Sequence, residues 1–113
     1  MNTLISIGAL AGAIIAEVVA TTALKATDGL TRLGPIMLVV TGYAVAFALL
    51  AVSLERFPLA FVYSVWAGFG MVGAALCGWW LFNEPLSPSA GFGIALITAG
   101  VFVLARTMGN AAA

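Results

Sequence analysis

The chain has 113 residues, 64% of them hydrophobic and only 7% charged, with a formal net charge of zero and a mean hydropathy of +1.20. That balance excludes a soluble domain of this size, which needs far more polar surface, and it excludes a basic nucleic-acid-binding face. With no histidine and one cysteine, Cys77, it also excludes an internal disulfide and argues against a metal cluster, so proton chemistry falls to a carboxylate, a tyrosine or the amino terminus.

Four apolar spans follow one another, at about 4–23, 34–54, 59–82 and 91–105, in a single domain covering 1–113. Runs of this length joined by short loops predict an all-α integral membrane protein with four transmembrane helices per chain. The first span, LISIGALAGAIIAEVVATTA, lacks a basic leader and a small-residue cleavage site, and it reads as retained. It carries Glu17 deep inside. A charged group at that depth costs at least a few kcal/mol, roughly 2.5–3.5 on insertion scales, so such groups face a bundle interior or a wet cavity and mark ion pathways. Ala13, Ala20 and Thr21 share the helix face of Glu17; the small side chains leave room and Thr21 can donate a hydrogen bond. A carboxylate placed there holds a proton or a cation but not readily both, and that competition is the basis of exchange. The bland alternative is a glutamate that only glues helices.

After the polar stretch 25–32, with Gly29 as turn residue, Pro35 opens the second span. Tyr43 lies midway along it, with Phe47 one turn on. The third span places Tyr63 and Trp66 on one face. Such aromatics line a pocket for a lipophilic cation through their ring faces, with packing as the alternative. Trp79, Trp80 and Phe82 fit an interfacial belt instead. Gly68 and Gly70 allow a bend or a close approach of helices. Asn83–Pro88 is turn-rich, and Ser89 is the expected cap of the last span. There Gly93 and Gly100, seven apart, predict a helix–helix seam, assigned to dimerisation. Glu84 has no basic residue in its own loop and receives no role.

Two basic side chains fall on each side of the membrane, Lys25 and Arg32 against Arg56 and Arg106, so the positive-inside rule fixes no orientation and insertion both ways is open. Two copies in opposite orientations would supply eight helices and two copies of Glu17.

Together these residues resemble the small multidrug resistance family over nearly the full chain. The resemblance is carried by Ala16-Glu17-Val18, by Lys25 with Gly29-Leu30-Thr31-Arg32-Leu33, by Tyr43 and Pro58, by Tyr63-Ser64-Val65-Trp66-Ala67-Gly68, and by the Gly93/Gly100 pair. It implies an antiparallel homodimer in the bacterial cytoplasmic membrane, or a heterodimer with a similar chain, exchanging protons for cations. It implies that Glu17 binds both, that Tyr43, Tyr63 and Trp66 shape the pocket, and that Gly68 and Gly70 form the hinge. The energy source would be the proton gradient, with no cofactor, metal or enzymatic activity.

Within the family, Ala20 in place of a tryptophan three residues after the glutamate, and the presence of Tyr43, point to the branch exporting quaternary ammonium and aromatic cations. Ala67, and the stretch from Gly73 to Asn83-Glu84-Pro85, depart from that branch, the latter toward guanidinium exporters. A guanidinium exchanger is therefore one alternative, and a non-transporting membrane partner subunit is another.

Overall fold

The computed structural model describes residues 3–112, with side chains through Thr107. It contains four helices, α1 (Thr3–Ala26), α2 (Leu33–Leu54), α3 (Leu59–Phe82) and α4 (Pro88–Ala112), and no strand among the described residues. All four are long and apolar enough to cross a membrane. α1 and α4 run past the apolar stretches 4–23 and 91–105 at both ends.

Backbone demands in the connections set the helix ends. α1 stops where Asp28, Gly29 and Leu30 all take positive φ, at 53°, 73° and 67°. Only glycine does so without steric cost, so the turn needs support. Thr27, 1% exposed, provides it. Its hydroxyl donates to the Leu24 carbonyl at 2.7 Å and accepts from the Leu30 N–H at 3.0 Å. Its carbonyl accepts the N–H groups of Thr31 and Arg32 at 2.9 and 3.1 Å. Pro35 lies in the first turn of α2, where its missing N–H is not needed. α3 ends on Asn83, left-handed at φ 56°, with the Glu84 N–H donating to the Gly78 carbonyl at 3.1 Å, a common helix stop. α4 is capped by Ser87 rather than Ser89: the Ser87 hydroxyl accepts from the Ala90 N–H at 3.1 Å. Pro88 suits the first helical position, which puts the cap one residue before it.

Small residues make the packing. α1 and α2 form the most intimate pair, α3 packs on α1 and lightly on α2, and α4 packs on α3 alone. A Cβ added to Gly42 of α2 would lie 2.8 Å from the Ala20 Cβ of α1. One added to Gly73 of α3 would lie 2.9 Å from Val18 of α1, and one on Gly68 would collide with Val101 of α4. Without a hydrophobic drive between helices in lipid, such close approach supplies the cohesion. The result is a slab, 44 × 34 × 17 Å.

Candidate functional site

Glu17 is half-buried on α1 and its side chain borders a cavity of about 320 Å³ between α1 and α3. The other lining residues are Thr21 from α1 and Tyr63, Trp66, Ala67, Gly70, Met71 and Ala74 from α3. The α3 residues fall on one helical stripe that continues the Tyr63/Trp66 face, and this spacing was the signal for Ala67, Met71 and Ala74, which sequence reasoning missed. Among the described residues, Glu17 is the one charged side chain lining the cavity.

The carboxylate has distinct surroundings at its two oxygens. Oε1 accepts a hydrogen bond from the Thr21 hydroxyl at 2.7 Å. Thr21 Oγ1 lies in turn 2.6 Å from the Tyr43 hydroxyl on α2. Oε2 faces Gly70 on α3, 3.0 Å from where a Cβ would stand. Gly70 thus forms the wall opposite the carboxylate. α3 runs through Gly68 and Gly70 as a continuous helix, with Gly68 seated on Val101.

The four expected aromatics are brought together as a chain of rings. Tyr43 stacks on Phe47 with centroids 6.3 Å apart, Phe47 meets Trp66 edge-on at 6.0 Å, and Trp66 tilts against Tyr63 at 5.7 Å. Tyr63 and Trp66 border the Glu17 cavity on one side and, on the other, a smaller apolar cavity of about 150 Å³ with Leu50, Leu54, Leu59 and Val62. They are a shared wall. The Trp66 Nε1–H is buried and has no hydrogen-bond partner, so an acceptor reaching it would relieve an unsatisfied donor.

Ala13 and Ala20 are fully buried, and neither borders the cavity; Ala20 packs under Gly42. The smallness of Ala20 lets α1 and α2 approach closely instead of widening the space beside Glu17. Phe47 and Tyr43 reach the site through Trp66 and Thr21 rather than as lining residues. Gly93 and Gly100 lie on α4, where added Cβ atoms would meet nothing within 4 Å. No grouping of three or more His, Cys, Asp or Glu suited to a metal ion occurs among the described residues.

One helical turn beyond Thr21, outside the cavity lining, Lys25 at the end of α1 pairs with Glu84 in the α3–α4 connection and sits over the Phe82 ring, 5.2 Å from its centroid. The sequence offered no partner for Glu84 because the pair closes across 59 residues.

The family model described as Small Multidrug Resistance protein matches residues 5–97. The chain is 45% identical over 95 residues to the multidrug transporter PA4990 of Pseudomonas aeruginosa, covering 84% of this chain and 86% of that one. It is 44% identical, over the same shares, to the quaternary ammonium compound-resistance protein QacF of Klebsiella aerogenes. To the multidrug transporter EmrE of Escherichia coli it is 39% identical over 104 residues, 92% of each chain. With four membrane-spanning helices and a family match across most of its length, this chain is an integral inner-membrane protein and belongs to the small multidrug resistance family.

Proposed function

We propose that the chain is a proton-coupled exporter of lipophilic quaternary ammonium and aromatic cations, with protons and cation competing for Glu17. The observation that carries this reading is the single carboxylate in a cavity walled by Tyr63 and Trp66, on a helix that crosses the membrane. A cation placed there meets one full negative charge and two ring faces, an attraction that strengthens where water is excluded. The cavity volume, about 320 Å³, falls at the lower end of the range of sites for drug-sized ligands, about 300–1,000 Å³. It exceeds what a guanidinium ion fills. The names of the multidrug and quaternary ammonium resistance relatives support the same substrate class. The stretch that leans toward guanidinium exporters has structural work to do: Asn83 ends α3 and Glu84 pairs with Lys25, and neither borders the cavity.

The mechanism follows from the competition. Two copies assemble in opposite orientations, each presenting Glu17 to a shared central space. Protons from outside load the carboxylates, the assembly reorients, and a cation entering from inside displaces them. The cation-loaded form then turns back. Each ligand drives the cycle only through its differential affinity for the states, and opposed identical subunits make the inward- and outward-facing states equivalent in structure. The reading assigns no catalysed reaction and no resident cofactor; the proton gradient supplies the energy. A heterodimer with a similar chain satisfies the same scheme.

The test is proton release from the purified protein in weak buffer near neutral pH. A tetraphenyl phosphonium cation releases protons from the wild type and none from Glu17→Gln. Release with guanidinium alone moves the protein to guanidinium export. Silence with both ions overturns the homo-oligomeric exporter, and a co-purifying second chain would then be sought.

A further inference from the structure

We propose that Thr21 is a positioning residue that ties the proton state of Glu17 to the hydroxyl of Tyr43, through a hydrogen-bond chain whose direction inverts on protonation. The inference rests on the reading above that Glu17 takes up and releases a proton.

The close approach of Ala20 to Gly42 sets up the geometry. Their neighbours in sequence are Thr21 and Tyr43, so the contact that seals α1 against α2 also brings the two hydroxyls to 2.6 Å. Thr21 is one helical turn from Glu17 and reaches its Oε1 at 2.7 Å. Both distances are in the usual range for O–H···O bonds.

Hydrogen counting fixes the direction. A threonine hydroxyl owns one hydrogen, and an ionised carboxylate only accepts. While Glu17 is charged, the Thr21 hydrogen is committed to Oε1. Tyr43 must then donate to Thr21, and the chain runs Tyr43 to Thr21 to Glu17. A proton added at Oε1 makes Glu17 the donor. Thr21 then accepts from Glu17 and turns its hydrogen to the Tyr43 oxygen, freeing the Tyr43 hydrogen. No O–H bond of either hydroxyl breaks: each rotates about its C–O bond, and the one proton gained is that on Oε1.

The groups able to interfere are few. Tyr43 faces Glu17 from α2 through Thr21, and Tyr63 is the titratable group of α3 at the cavity; α4 lends no lining residue. Among the described residues, no other charged side chain borders the space. Because the Tyr43 ring stacks on Phe47 and Phe47 meets Trp66, the proton state of α1 is reported on α2, beside the aromatic wall that receives the cation.

Infrared difference spectroscopy of the full-length protein in lipid vesicles tests this, comparing acid with mildly alkaline buffer on protein carrying ring-labelled tyrosine. The phenol C–O stretch moves when a tyrosine hydroxyl passes from donating to accepting. We expect a labelled tyrosine band that changes together with the carboxyl band of Glu17. It is lost in Tyr43→Phe, lost in Thr21→Val while the carboxyl band persists, and restored in Thr21→Ser. A tyrosine band that survives Thr21→Val overturns the proposal. So does a wild type with the carboxyl change and no tyrosine change, the result if the proton lands on Oε2 beside Gly70. Absence of the carboxyl change overturns instead the reading that Glu17 exchanges a proton.

Affinity for a tetraphenyl phosphonium cation gives a second readout. Tyr43→Phe weakens binding by about 5-fold in the wild type and by less than about 2-fold in Thr21→Val, because contacting residues couple. Equal losses in both backgrounds contradict the chain.

Discussion

Lys25 and Glu84 join the end of α1 to the connection after α3 by an ion pair, with the Lys25 ammonium also over the Phe82 ring. Both side chains are about half exposed, 54% and 46%, which limits what the pair contributes to stability to about 1 kcal/mol or less. Glu84→Gln and Lys25→Met should each lower the thermal unfolding midpoint slightly and to the same extent, and the double substitution should cost no more than either alone. The reversed pair, Lys25→Glu with Glu84→Lys, should recover most of the loss at low salt and little of it at high salt. Unfolding followed by helical signal in detergent checks this.

Thr27 holds three consecutive left-handed residues through hydroxyl and carbonyl together. Thr27→Val keeps the shape and strips the hydroxyl, leaving the Leu30 N–H without its acceptor. A loss of about 1–3 kcal/mol is expected, with Thr27→Ser close to wild type.

Gly68 separates packing from bending. A methyl group there runs into Val101, so Gly68→Ala should destabilise by about 1–3 kcal/mol through overpacking. Adding Val101→Ala should restore both stability and transport. If stability returns and transport does not, Gly68 serves as a hinge in addition to a contact.

Gly70 stands opposite Glu17 Oε2 at 3.0 Å for an added Cβ. The facing atom ends a flexible side chain, so Gly70→Ala should fold normally while narrowing the cavity. Bulky aromatic cations should bind at least about 10-fold more weakly and small quaternary ones nearly unchanged, since one methylene-sized change in a pocket discriminates by about 10- to 200-fold. Titration with a size series of cations checks this.

Gly100 has open space beyond it within the chain. Gly100→Leu should leave the helical content intact. If α4 forms the seam between two copies, the particle mass in detergent should fall by half.

Much of this was legible beforehand because it lies within single helices. The four long apolar helices, the place of Glu17 within the first of them and the shared face of Tyr63 and Trp66 follow from hydropathy and a period of 3.6 residues. What escaped lies between helices. Lys25 with Glu84, and Thr21 with Tyr43, meet only once small residues such as Ala20 and Gly42 have fixed how deeply neighbours interlock. Spacing along one chain carries no record of that register. Ala20 shows the cost most plainly. Its face on α1 was right and its neighbour was wrong, because a small residue beside a carboxylate serves equally to open a space or to admit another backbone. Ser87 and Ser89 differ for a local reason: Pro88 takes the first position of the helix and makes its predecessor the cap.

The slab measures 17 Å along its shortest axis. A body that thin has hardly any interior, and the span of α4 contains no buried residue. Whatever touches those broad faces, whether acyl chains, detergent tails or protein, therefore acts as a structural component. The surrounding medium therefore belongs among the variables of every assay.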